Sequence, residues 1–81
     1  MRVAVTAFAG LRELLAGNAP ELELPSGANV GDVWSSLVRL HPALTPLAAS
    51  TRFARNGRLA ERSDELSDGD EVALLPPVGG G

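Results

Sequence analysis

One amphipathic helix, with short alternating segments on either side of it, constrains this chain more than any other feature. Val30, Val33, Trp34, Leu37 and Val38 recur at helical spacing. Asn29 is placed as an N-cap, and Asp32 sits where a carboxylate favours the positive end of the helix dipole. Pro42 ends the helix just after His41. Gly31 in the first turn reads as a weak spot, costing up to ~1 kcal/mol against alanine. A lone helix of this kind must lay its apolar stripe on something, and the rest of the chain offers mainly strands.

The first strand signal is Val3, Val5 and Ala7 alternating with Arg2, Ala4 and Thr6. Phe8 lies in phase with the polar set, which places a large ring on the outer face of a sheet. Leu11, Leu14 and Leu15 mark one side of a short helix that Gly17-Asn18 can end. Glu21-Leu22-Glu23-Leu24 alternates as a second strand, stopped by Pro25-Ser26-Gly27. Ala43 to Ser50 is interrupted by Pro46 and reads as an irregular or 3₁₀ connection. Phe53-Ala54-Arg55 and Arg58-Leu59 flank Asn56-Gly57, whose tolerance of positive φ predicts a type I′ hairpin. Asp68-Gly69-Asp70 is a second tight turn. Glu71 to Leu75 then alternates with Val72 and Leu74 inward and Ala73 and Leu75 outward, until Pro76-Pro77 ends the strand.

Strands and one main helix in this order predict an α+β fold in two layers, with a mixed sheet of about five strands packed on the helix. The ubiquitin-like β-grasp satisfies it. That topology pairs the first and last strands in parallel at the sheet centre, where Val3, Val5, Val72 and Leu74 are the most continuously apolar. The expected organisation is one domain over residues 1–76 and an extended tail over 77–81.

Composition narrows the function. With 81 residues the chain has room for one small core and little depth for a cofactor pocket. A net charge of -3, no run of arginines, and only Phe8, Trp34 and Phe53 as aromatics argue against nucleic acid as a partner. Cysteine is absent, which removes thiolate catalysis and thiolate metal sites. No stretch approaches the ~18 apolar residues of a membrane span, and the N-terminus alternates, unlike a signal peptide. A cytoplasmic protein is expected. All seven basic residues are arginine, so an activated acyl group on this chain would meet no ε-amine of its own kind.

Catalytic sets are sparse. His41 is the only histidine, so no two-histidine metal site can be built, and it reads as a polar residue at a helix C-terminus. Asp64, Glu65, Asp68 and Asp70 cluster around the last turn, either as a solvated face or as a pair for acid-base work. Gly79-Gly80-Gly81 has no helix after it to hold a phosphate. What remains is the end itself. A terminal glycine is the least hindered carboxylate a protein can present. At about 3.5 Å per residue, Pro76 to Gly81 spans roughly 20 Å, enough to thread into another protein's active site. Pro76-Pro77 stiffens the base of this arm and the glycines thin its tip, which suits a carried acyl group. Taken alone, three terminal glycines also suit a frayed end.

Arg12-Glu13-Leu14 behind Phe8-Ala9, the Asn56-Gly57 turn, and above all the run from Asp68-Gly69-Asp70-Glu71-Val72 through Pro76-Pro77-Val78 to Gly80-Gly81 resemble the small, sulfur-carrier subunit of molybdopterin synthase. The resemblance covers the whole chain. Its variable tail position is Gly79 here, and Ala7-Phe8 stands where the family frequently has two phenylalanines.

The resemblance implies a carrier with no catalysis of its own. Gly81 would be adenylated by a partner enzyme using ATP and magnesium, converted to a thiocarboxylate with sulfur from a donor enzyme, and inserted with Gly80 into the large synthase subunit. There the sulfur passes to a pterin precursor during molybdenum cofactor biosynthesis, in a heterotetramer. No cofactor, metal or membrane binding by this chain itself is implied. Phe8 and Leu75 would then lie side by side on the face opposite the helix, extended by Leu59, as a docking patch leading into Pro76, Pro77, Val78 and Gly79. Alternatives are a thiamine-type sulfur carrier, a ubiquitin-like protein modifier, and a plain interaction module with an idle tail.

Overall fold

The computed structural model describes residues 1–8, 11 and 20–76. Its elements are strand β1 (Arg2–Ala7), strand β2 (Glu21–Glu23), helix α1 (Val30–Leu40), a 3₁₀ segment (Pro42–Leu47), and strands β3 (Arg52–Arg55), β4 (Arg58–Ala60) and β5 (Glu71–Leu75). The sheet order is β2-β1-β5-β3-β4. β1 and β5 run parallel, with Val5 against Val72 and Ala7 against Leu74, and the other neighbours are antiparallel. This is the two-layer β-grasp that the order of elements predicts. Of the expected short helix after Phe8, only Leu11 is described. It is helical and buried, while Leu14 and Leu15 lie outside the described residues.

Helix α1 starts where the sequence places it. Asn29 Oδ1 accepts from the Asp32 N–H at 2.9 Å, and Asp32 Oδ2 accepts from the Asn29 N–H at 2.9 Å, a reciprocal capping box. Its buried residues, Val30, Val33, Trp34 and Leu37, pack on Val3, Val5, Phe53, Val72 and Leu74 of the sheet. Each such aliphatic side chain contributes about 2 kcal/mol by leaving water. Val38 is only half-buried at the edge of this core. Leu44 of the 3₁₀ segment is fully buried beside them. Trp34 meets Phe53 edge to face, with ring centroids 5.9 Å apart. The Arg62 guanidinium closes this pair from outside, 5.8 Å from the Trp34 centroid and 5.1 Å from that of Phe53, and it donates to the Ala48 carbonyl.

Gly31 proves to be more than a weak helix former. The Gly31 N–H donates to the Arg62 carbonyl at 2.8 Å. A Cβ at this position would lie 3.2 Å from Asn29 Oδ1 and 3.3 Å from that same carbonyl oxygen. The loop from Arg62 to Glu65 runs hard against the start of the helix, and glycine permits the approach. The hairpin follows expectation: Asn56 and Gly57 have φ of 49° and 84°, matching a type I′ turn. Its strands extend one residue further at each end than the sequence pattern marks, taking in Arg52 and Ala60.

Candidate functional site

Parallel pairing sets the geometry of the open face. β1 and β5 both run toward the same end of the sheet, so the residue after one strand and the last residue of the other arrive together. Val3 and Val5 point to the helix, and Arg2, Ala4, Thr6 and Phe8 point away from it. Thr6 pairs with Ala73, Ala73 with Ala54, and Ala54 with Leu59, which makes one row across the open face. In the next row Leu75 pairs with Arg52, and continuing the β1–β5 register by one residue sets Phe8 beside Leu75. Adjacent strands lie about 4.8 Å apart, which is the spacing that this register gives Phe8 and Leu75.

Phe8 is 53% exposed and Leu59 78% exposed, while Leu75 and Pro76 are half-buried. Large apolar groups gathered like this are uncommon on a free surface. A shallow groove lined by Ser50, Arg52, Leu59, Leu75 and Pro76 adjoins them where β5 ends. The opposite end of the same face is charged. There Arg2 Nε lies 3.0 Å from a Glu23 oxygen and 3.7 Å from a Glu21 oxygen. The face is thus apolar where the chain leaves it toward Gly81 and polar where it does not.

Of the residues singled out in the sequence, Phe8, Leu59, Leu75 and Pro76 are brought to one corner. Pro77, Val78, Gly79, Gly80 and Gly81 lie outside the described residues. Arg52, in the same corner, was not among the candidates. Its only sequence signal is its phase: it precedes the inward Phe53 and so faces outward, but its neighbour Leu75 is set by a pairing across the sheet.

The acidic cluster does not form a solvated face throughout, and Asp70 is the exception. It is 8% exposed. Asp70 Oδ2 accepts from the Ser67 N–H at 2.8 Å and from Arg55 Nε at 2.7 Å, and its Oδ1 accepts from Asn56 Nδ2 at 2.9 Å. Asn56 Oδ1 in turn accepts from the Glu71 N–H at 2.9 Å. The Ser67 N–H, the Asn56 amide and the Arg55 guanidinium together hold the Asp70 carboxyl below its ordinary pKa, against the opposing effect of burial. A buried carboxylate with three donors is a structural clamp. Its neighbours serve the backbone too: Asp68 accepts from the Arg2 N–H and Asp64 from the Glu61 N–H. Among the described residues no group of three or more His, Cys, Asp or Glu side chains is placed to hold a metal ion. His41 caps the C-terminus of α1, its backbone N–H donating to Leu37 O at 2.7 Å. Among the described residues no helix is long and apolar enough to cross a membrane. Among the described residues the corner gathers Leu59, Leu75 and Pro76 with Arg52 around one shallow groove.

Comparison with known proteins fits this geometry. The model of the ThiS family matches residues 5–81. The chain is 37% identical over 83 residues to the molybdopterin synthase sulfur carrier subunit of Chlamydomonas reinhardtii, with all of both chains covered. It is 35% identical to small archaeal modifier protein 1 of Haloferax volcanii, over 91% of this chain and 94% of that one. The crystal structure of SAMP1 from Haloferax volcanii superposes with a TM-score of 0.89 at 31% identity, covering all of both chains.

Proposed function

The chain belongs to the ThiS family, and from that membership we propose that it is the sulfur-carrier subunit of a molybdopterin synthase. One observation supports this above the rest: the strand that leads into the Gly80-Gly81 tail forms, with β1 and the hairpin, an apolar corner on the face away from the helix. A carrier needs both parts, a surface that docks and an arm that reaches.

In this reading the chemistry takes place on Gly81. A carboxylate is a poor electrophile, so an adenylating partner joins it to the α-phosphate of ATP, with magnesium, and pyrophosphate leaves. Sulfur delivered at the sulfide level from a donor enzyme then attacks the acyl carbon, AMP leaves, and a thiocarboxylate remains. Docked through Phe8, Leu59 and Leu75, the chain threads Pro77 to Gly81 into the large subunit, where the sulfur is transferred to the pterin precursor. The small chain is the reagent and the large chain the catalyst. Two copies serving a dimer of large subunits make the heterotetramer, and the cytoplasm supplies the ATP.

Incubation with the adenylating enzyme, ATP and a sulfur source tests the proposal by intact mass. Replacement of oxygen by sulfur adds about 16 Da, and the product should sulfurate the pterin precursor when the large subunit is added. Deleting Gly80-Gly81 should abolish both while leaving thermal unfolding unchanged. The likeness to an archaeal modifier favours a second reading, in which the same activated glycine acylates lysines of other proteins. Heavy ladders on other proteins, with no gain in the mass of the free chain, would select it.

A further inference from the structure

In the row that holds Leu75, Arg52 is the charged side chain next to the apolar corner. It pairs with Leu75 across β3 and β5, lines the same shallow groove as Leu59, Leu75 and Pro76, and is exposed. Among the described residues it makes no ion pair, whereas Arg2 and Arg55 do. Continuing the β3–β4 register by one residue sets Glu61 across from Arg52, yet no salt bridge forms between them. Any protein that covers Phe8, Leu59 and Leu75 also covers Arg52 and strips water from its guanidinium. A desolvated cation without a counter-charge opposes binding, while one met by a carboxylate in bidentate geometry fixes register and orientation.

We infer that Arg52 is a partner-selecting residue, and that the large subunit that receives this carrier presents a carboxylate opposite it. The inference rests on the carrier reading and adds to it the chemistry of the docking partner. Such a pair would orient the carrier about the apolar contact, and with it the direction in which the tail enters.

The test is calorimetric titration of the full-length chain into its cognate large subunit at low and high salt. Arg52→Glu should weaken binding by about 30-fold or more, and Arg52→Leu by about 10-fold, with the salt dependence reduced in both. Arg58→Glu serves as the control, since Arg58 is exposed on the same hairpin but pairs with Arg55 in phase with the helix side of the sheet; it should bind as the unaltered chain does. Fluorescence of Trp34 reports that each variant is folded. Unchanged or tighter binding by Arg52→Leu would overturn the inference, as would a loss of the same size in Glu61→Gln, which would make Glu61 the counter-charge. Failure of the unaltered chain to bind the large subunit would instead sink the carrier reading beneath it.

Discussion

Arg55 donates through Nε to Asp70 Oδ2 at 2.7 Å, tying the hairpin strand β3 to the residue just before β5. With Asn56 bonded to both Asp70 and the Glu71 N–H, the turn of the hairpin and the start of the last strand form one unit. The strand that carries the tail is therefore held at its root on one side by this clamp and along its length by β1 and β3.

Asp70→Ala should lower stability by about 2 kcal/mol, because it leaves the Ser67 N–H, Asn56 Nδ2 and Arg55 without their acceptor. Urea unfolding checks it. The pH dependence has a definite sign. Folding lowers the Asp70 pKa below its ordinary 3.8, so the stabilisation is complete above that value and is lost as pH falls through the lower folded-state pKa. Asp70→Asn should be less stable at neutral pH, and its stability should fall less steeply over that acid range.

Gly31→Ala should lose about 1 kcal/mol, where helix propensity alone predicts a gain of about that size. The added Cβ would crowd the Asn29 oxygen that caps the helix and the Arg62 carbonyl that accepts from residue 31. An increase in the unfolding midpoint would show that the 62–65 loop moves aside freely.

Arg62→Ala should cost about 1 kcal/mol through two cation–π contacts and should uncover Trp34. Trp34 is the only tryptophan, so its emission reports the change directly: a red shift in the folded variant is expected, and an unmoved spectrum would count against the contact.

Phe8→Asp should reduce affinity for the large subunit by about 30-fold or more, the loss expected when a buried aromatic anchor is removed. Because Phe8 is mostly exposed, the unfolding free energy should stay within about 0.5 kcal/mol of the unaltered chain. A folded variant that binds with undiminished affinity would remove the corner from the docking mechanism.

Much of this was legible in the sequence because it is local. The capped helix from Val30, the Asn56-Gly57 hairpin, the inward Val72 and Leu74, and the glycine tail each follow from residues within a few positions of one another, where periodicity and turn chemistry act directly. Even the outward phase of Phe8 and Leu75 could be read this way. Three features could not. Asp70 looked like one solvated carboxylate among several until Arg55 and Asn56 were seen to converge on it. Gly31 looked like a defect until the Arg62 carbonyl was found against it. Arg52 shows its outward phase in the sequence, but its place beside Leu75 follows only from the pairing of β3 with β5. In each case the deciding neighbour is more than ten residues away in sequence, and which neighbour arrives depends on strand register and on how loops pack when the core closes. Local pattern sets the elements, their order and the glycine-ended tail; which side chains share a corner is settled when the strands pair, because a period of two says which face a residue takes and nothing about who stands beside it.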